Sequence, residues 1–358
     1  MVASLGRRTR TYADHVNAAK LDDYRSPLLD RPKAVEADGL DAGVAAHYGD
    51  PMREQRLLEA RQALVDLSNR GVVTVSGPDR RSWLHSITTQ KLDDLQPGVS
   101  TESLVLSPHG HVEHDLHLID DGETIWITVE PGTAEALVTW LRSMQFMLRV
   151  EVADRSADFA VLGDPSTEAV EMLAWVDPWP DLGPDTAAYC DVEPHPAFGR
   201  AWRELIVPRD ELGSVVGERS LAGTWAAEAL RVSQWRPRHL VDTDHRTIPH
   251  ELDWLRTSLH LHKGCYRGQE TVARVHNLGK PPRRLVFLHL DGSGHVLPDP
   301  GAELFAPANE RAVGRLTSVA RHHVEGPIAL AVVKRNVPVE AVLRAGDVTA
   351  AQTPIVRA

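Results

Sequence analysis

Short runs in which apolar and polar residues alternate occur from residue 103 onward, and this period of two predicts β-strands. The longest run is 111–118, which is expected to have one polar and one largely apolar face. The polar face comprises His111, Glu113, Asp115 and His117, and the other comprises Val112, His114, Leu116 and Leu118. Asp121-Gly122 then predicts a hairpin turn into a strand at 124–129.

Other segments predict a mixture of strands and helices. Strands are expected at 72–75, 104–106, 150–152, 159–162 and 202–207. Apolar residues at helical spacing predict helices at 57–67, 132–147 and 222–235. Ser76 or Asp79 is placed to cap a further helix through Trp83 and Leu84.

Three regions differ in composition. Residues 1–40 are polar and irregular, which predicts an arm on the surface or a partly disordered lead-in. Residues 41–280 hold the mixed helices and strands. From residue 285 strand patterns are separated by glycines without a helical pattern, which predicts a small β-barrel or sandwich. We place a domain boundary near Lys280-Pro281-Pro282 and expect the last domain at 281–358.

Composition excludes several classes of protein. With 358 residues, 42% hydrophobic and 25% charged, the chain has the composition of a globular protein of two or three domains. A net charge of −11 argues against a broad nucleic-acid-binding face. Two distant cysteines cannot form a disulfide framework or hold an iron–sulfur cluster alone. The basic start is not followed by a long apolar run, so we expect a cytoplasmic protein without a membrane span.

The stretch with the most unusual chemistry is 263–270, Lys-Gly-Cys-Tyr-Arg-Gly-Gln-Glu. It combines a thiol, a phenol, two cations, an amide and a carboxylate with two glycines that permit positive φ. The simple interpretation is a polar turn with one buried thiol. The alternative is a functional thiol, Cys265, whose thiolate is favoured by Lys263 and Arg267. Cys190 lies in an unassigned loop and is expected to be incidental.

This octapeptide resembles the K-G-C-Y-x-G-Q-E signature of the YgfZ-type folate-binding proteins, which are relatives of the glycine cleavage T-protein. A looser resemblance runs from about Leu64 to the C-terminus and includes 66–70 and 75–79. It implies an α+β fold of three lobes around a central folate cleft. Two interleaved subdomains would form the body at 41–280, and a small β-barrel would follow.

The resemblance also implies a set of folate-binding residues. Glu204 lies in a segment similar to the family's Gly-Tyr-Glu-Ile, although Trp202-Arg203 replaces Gly-Tyr, and a carboxylate can accept two N–H groups of a pterin. On this basis Glu204→Ala is expected to cost roughly 1.5–3 kcal/mol of folate binding. Arg231 resembles the family's Leu-Arg motif and could bind the glutamate tail. Glu251 and the aromatic Tyr266 complete the implied set. Each could instead be an ordinary surface or core residue.

Asp115 lies where T-proteins carry adjacent aspartates, one of which is catalytic, but His114 occupies the first acidic position. The resemblance therefore implies folate binding more directly than aminomethyl transfer, which requires an acid or base beside the folate nitrogen. The four histidines of 109–117 suggest a metal, but His111 and His117 would stand roughly 20 Å apart along a strand. We expect no metal site there.

Three functional hypotheses follow. The resemblance implies a tetrahydrofolate-binding accessory protein of iron–sulfur cluster assembly or repair, with iron–sulfur proteins as partners and an indirect link to tRNA modification. Cys265 would then be a transient cluster ligand, an exchanging thiol or a nucleophile. The second hypothesis is a folate-dependent aminomethyl- or methyltransferase that uses Asp115. The third is a binding module in which folate only stabilises the protein.

Overall fold

The computed structural model describes residues 24–294, 296–307 and 310–357. Most of the predicted N-terminal arm, residues 1–23, lies outside this range. Residues 24–40 pack against the body, and Leu28 is buried in one of its hydrophobic clusters. None of the helices in the described ranges is long and apolar enough to cross a bilayer.

The described chain contains helices and strands throughout. The strands are β1 Val35–Glu36, β2 Ala45–His47, β3 Ala63–Asp66, β4 Gly71–Ser76, β5 Ser100–Leu106, β6 Val112–Asp120, β7 Thr124–Val129, β8 Glu151–Asp154, β9 Phe159–Asp164, β10 Ala174–Val176, β11 Arg203–Pro208, β12 Ser220–Ala222, β13 Arg283–Leu290, β14 Glu303–Phe305, β15 Gly314–His322, β16 Gly326–Lys334, β17 Leu343–Ala345 and β18 Val348–Pro354. The α-helices are α1 Pro51–Glu59, α2 Arg80–Ile87, α3 Ala134–Met144, α4 Leu212–Val216, α5 Thr224–Ser233, α6 Leu255–Ser258 and α7 Gln269–Leu278.

Two five-stranded sheets form most of the body, in the orders β5-β6-β7-β4-β8 and β10-β11-β9-β3-β12. A hydrophobic cluster lies between them, where Val72 and Ile119 of the first sheet meet Val161, Trp175 and Ile206 of the second. On its other face the first sheet is covered by α2 and α3. The two sheets therefore face one another, and side chains that project between them share one space.

The C-terminal strands form a closed barrel in the order β13-β16-β15-β14-β17-β18. Its interior is filled by aliphatic side chains such as Val286, Leu316 and Ala331. Phe287 and Leu330 belong instead to a cluster shared with Trp254 and Leu104 of the body. The predicted α+β fold with a C-terminal barrel is confirmed.

Two local predictions are corrected. The helix expected at 57–67 ends at Glu59, because Arg61 takes a left-handed conformation (φ 60°) and Ala63–Asp66 then forms β3. In β6 the polar and apolar positions do not alternate throughout. Val105 of β5 pairs with His114, while Leu106 pairs with Val112, so Glu113 is an extra residue in a β-bulge. The bulge places Val112, rather than His111 or Glu113, on the same face as Asp115.

Candidate functional site

A cavity of about 420 Å³ lies between the two sheets of the body and α5. This volume is within the range of small-molecule sites. Residues from separate parts of the sequence line it: Arg61, Arg70, Asp115, His117, Glu130, Trp175, Asp177, Arg200, Glu204, Arg231 and Arg238 among others. Asp115, His117 and Glu204 lie on strands and Arg231 lies on α5. The other polar residues in this list lie in the segments that connect these elements.

Two rows of cross-strand neighbours meet in this cavity. In the first sheet, His117 pairs with Glu102 on one side and Thr128 on the other. In the second sheet, Glu204 pairs with Trp175. Paired residues project to the same face of a sheet. Packing the sheets face to face therefore brings His117 against Glu204 and stacks its ring on Trp175, with ring centroids 3.8 Å apart.

Glu204 is held by three donors. Its Oε1 lies 3.0 Å from His117 Nδ1 and 3.3 Å from an Arg70 guanidinium nitrogen, and its Oε2 accepts from the Thr128 hydroxyl. The side chain is 1% exposed. Burial would raise the pKa of Glu204, but Arg70 and His117 outweigh burial and hold this pKa well below its usual range. Glu204 is thus an ionised carboxylate engaged mainly with the protein.

His117 is the cation that lies between the carboxylates of Glu204 and Asp115. Burial would lower its pKa, but the carboxylates of Glu204 and Asp115 raise it to about 10. The imidazolium therefore has no lone pair for a metal at neutral pH. Ligand atoms of Glu102, Asp115 and His117 lie within 4.8 Å of one another, and a metal ion at this trio would have to displace the proton on His117.

The raised pKa of His117 predicts a pH-dependent stability. The pKa of His117 is about 10 in the folded state and about 6.5 in the unfolded state. The free energy by which the protonated ring stabilises the fold is therefore fully present below about pH 6.5 and is lost as pH rises through 10. Its size is on the order of 5 kcal/mol. Urea unfolding of wild type and His117→Gln across this range should show the difference in stability shrinking as pH rises. A difference that is independent of pH would contradict the ion pair.

Asp115 lines the cavity and carries an unpaired acceptor. Its Oδ2 lies 3.5 Å from His117 Nε2. Its Oδ1 is buried and has no hydrogen-bond partner within the described residues. Buried polar atoms are normally satisfied, so the unpaired oxygen of this cavity-lining residue is a candidate acceptor for a ligand N–H group.

Arg231 lines the cavity, but its guanidinium is already fully engaged. It donates to the Glu228 carboxylate, Asp242, the Ser318 hydroxyl and the Arg236 carbonyl, and so uses all five N–H groups. Arg61 is different. It is exposed, lines the cavity, donates to the Thr167 hydroxyl at 3.1 Å and forms no ion pair within the described chain. Arg61 is therefore better placed than Arg231 to meet an anionic ligand group.

Cys265 is exposed and lies outside the residues that line this cavity. Lys263 does not face it: the Lys263 ammonium is buried and donates to the carbonyl groups of His85, Thr88 and Gln90. Arg267 forms an ion pair with Glu113 at 2.7 Å. Both cations are therefore engaged with other partners, and Cys265 is not among the residues that line the cavity with Glu204.

Tyr266 and Glu251 also lie outside the cavity lining. Tyr266 packs against the cluster shared by body and barrel, and burial raises its pKa. Glu251 is buried and binds Arg283 of β13 at 2.7 Å. It therefore links the body to the barrel. The structure brings Asp115, Glu204 and Arg231 together and separates them from Cys265, Tyr266 and Glu251.

His114 projects away from Asp115 into the interior. Burial, with a smaller effect from His239, lowers the pKa of His114 to about 3, so the ring is neutral. It cannot replace the missing acidic partner of Asp115. The neighbour of Asp115 in the cavity is His117, two residues later on the same strand face, and period-two spacing was a usable signal for this proximity. Trp175 and Arg61 had no such signal, because both lie in segments whose predicted structure was absent or wrong.

Comparison with known proteins places this geometry in context. Residues 45–195 match the family model described as GCVT N-terminal domain. An Arabidopsis thaliana protein named "Putative transferase, chloroplastic" is 27% identical over 71% of the chain, which spans 61% of that protein's length. An aminomethyltransferase of Parasynechococcus marenigrum is 25% identical over 79% of the chain and 82% of its own length.

The crystal structure of the glycine cleavage system aminomethyltransferase T from Bartonella henselae has the same fold. It covers 92% of this chain and 95% of its own, with a TM-score of 0.73 and 19% identity. The predicted T-protein-like fold is therefore confirmed. At 19% identity this likeness shows the fold, and the family model matches residues 45–195 alone.

Proposed function

We propose that this chain binds tetrahydrofolate, or a one-carbon-substituted folate, in the cavity between the two sheets. The unpaired buried Oδ1 of Asp115 carries this proposal, because a pterin presents N–H donors at the edge of a flat ring. A volume of about 420 Å³ accommodates the bicyclic ring and part of the tail. Bound folate supplies nitrogen atoms that accept or donate a one-carbon group.

The protein's own residues have distinct parts in this proposal. Asp115 accepts a ligand N–H at Oδ1 and can hold a proton there. His117 and Glu204 fix the Asp115 side chain from the other side through their ion pair. Arg61, at the exposed edge of the cavity, is the proposed contact for the carboxylates of the tail.

We further propose that the chain is an accessory protein of iron–sulfur cluster assembly or repair, which supports tRNA modification indirectly through cluster-dependent enzymes. The resemblance of 263–270 to the YgfZ-type signature supports this part. The exposure of Cys265 suits exchange of a sulfur or iron species with a partner protein as cargo. Because Cys265 lies outside the cavity lining, the folate and the thiol would act at separate places.

Replacing Cys265 with serine is expected to reduce the activity of cluster-dependent enzymes in cells that lack the wild-type protein. The purified variant should still bind tetrahydrofolate with unchanged affinity in calorimetric titration, because Cys265 does not line the cavity. Cys190→Ser, at a buried cysteine, is the matched control. Full cellular activity of Cys265→Ser would remove the thiol from the mechanism and leave a folate-binding module.

The second candidate is a folate-dependent aminomethyl- or methyltransferase. The orientation of Asp115 into the cavity favours it, and so do relatives named aminomethyltransferase. It requires turnover of a lipoyl-bound or methylated amine donor in the presence of tetrahydrofolate. The absence of turnover with both donor types, in protein shown to bind tetrahydrofolate, would exclude this candidate.

A further inference from the structure

A second group of ligand-type side chains lies where α1 packs against the barrel, and it shares Glu59 with the lining of the cavity described above. It consists of Glu59, the last residue of α1, His322, the last residue of β15, and His323, the first residue of the turn that follows. One ligand atom from each lies within 4.8 Å of the others. His323 Nε2 is 2.7 Å from one Glu59 oxygen, and His322 Nε2 is 4.0 Å from the other. Two imidazoles and a carboxylate thus converge on one point.

The two imidazoles have little solvent exposure, and their Nε2 atoms lack hydrogen bonds within the described residues. The side chains of His322 and His323 are 6% and 9% exposed. Neither Nε2 has a hydrogen-bond partner within the described residues, since the short contact of His323 with Glu59 lacks hydrogen-bond geometry. Buried polar atoms that lack partners call for an explanation such as a bound ion.

A hydrogen-bonded bridge one helical turn earlier fixes this arrangement. Gln55 donates to the Arg321 carbonyl at 2.9 Å and accepts from the His323 backbone N–H at 2.8 Å. Gln55 is 1% exposed. Residues four apart share a helix face, so Gln55 directs Glu59 toward the same end of β15. Glu59 and His322 are therefore held by packed elements, and the backbone of His323, in the turn after β15, is bound to α1 through Gln55.

We propose that Glu59, His322 and His323 bind a divalent transition-metal ion of the Zn²⁺ class, with a fourth position open to water. Zinc takes imidazole nitrogen and carboxylate oxygen at about 2.0–2.2 Å in tetrahedral geometry. This places ligand atoms about 3.3 Å apart. The contacts of 2.7 and 4.0 Å, made with different oxygens of Glu59, lie on either side of that value, and all three ligand atoms lie within 4.8 Å of one another, so side-chain rotation is needed to form the site.

A carboxylate lies behind His322. The His322 Nδ1 accepts from the backbone N–H groups of Val324 and Glu325 at 3.4 and 3.2 Å, and the Glu325 carboxylate lies 3.7 Å from it. Metal binding through Nε2 requires the ring proton on Nδ1, so these two backbone hydrogen bonds must be replaced by donation from Nδ1 to the Glu325 carboxylate. A carboxylate behind a metal-bound histidine is a common arrangement.

The test is a titration of the metal-free full-length chain with Co²⁺, followed by its visible ligand-field absorption, and then displacement by Zn²⁺. All forms carry Cys265→Ser, so that the exposed thiol cannot bind the ion. One ion per chain is expected, and Zn²⁺ should raise the thermal unfolding midpoint because it binds the folded state. Glu59→Gln, which keeps the side-chain volume at a partly exposed position, should weaken binding at least about tenfold.

His323→Ala should weaken binding at least as much, and Glu325→Gln should weaken it less. The matched control replaces His109 and His111 with alanine, an imidazole pair with ring centroids 6.2 Å apart. This control should bind Co²⁺ like the parent. Binding that is equal in the parent and in Glu59→Gln, loss of binding in the control, or no saturable binding to the folded parent would each overturn the proposal.

Discussion

Replacing Asp115 with asparagine is expected to weaken tetrahydrofolate binding by about ten- to 150-fold, a loss of about 1.5–3 kcal/mol. The substitution keeps the shape of the side chain but removes the charge of a cavity-lining carboxylate whose buried Oδ1 has no hydrogen-bond partner within the described residues. Calorimetric titration of the reduced folate measures the change. If the protein is a transferase, turnover should fall in the same variant.

Asp181→Asn is the matched control, because Asp181 is exposed and does not line the cavity. Its affinity for tetrahydrofolate should equal that of the wild type. The urea midpoint of Asp115→Asn must be checked as well, since Oδ2 lies near the His117 ring. A folded Asp115→Asn protein that binds tetrahydrofolate as tightly as the wild type would place the ligand elsewhere.

The fold was largely predictable because its elements carry local signals. Polar and apolar residues alternate in the part of β6 after its bulge, β5 ends in an apolar run, and the barrel strands are separated by glycines. The bulge at Glu113 had no such signal, because it depends on the register between β6 and β5. The wrong prediction of a helix at 57–67 has a similar cause. Leucines at the end of α1 and leucines in and just after β3 together matched the spacing of one helix.

The candidate site was predictable only residue by residue. Asp115 and Glu204 were each placed on a strand, but the sequence does not specify that two sheets pack face to face with His117 between them. Proximity in sequence was also misleading for Cys265. Lys263 and Arg267 are its near neighbours in the chain, yet their charges are directed to backbone carbonyls and to Glu113. Side-chain direction depends on tertiary contacts that a motif does not contain.

Glu204→Ala is expected to destabilise the protein by about 3–5 kcal/mol, a larger effect than the loss of one ligand contact. Glu204 is the shared partner of two buried cations, Arg70 and His117. Removing its carboxylate leaves both buried cations without this counter-ion. Urea unfolding measures the loss, with the exposed Glu171→Ala as the control.

Folate binding by Glu204→Ala alone would therefore combine two effects, lost stability and lost contacts, which a second substitution can separate. Adding Arg70→Met removes one of the unpaired cations, so the double variant should recover part of the stability lost in Glu204→Ala. Such recovery identifies Glu204 chiefly as a counter-ion that keeps His117 and Asp115 in place. A Glu204→Ala protein within about 0.5 kcal/mol of wild type, but unable to bind tetrahydrofolate, would instead show that Glu204 contacts the pterin directly.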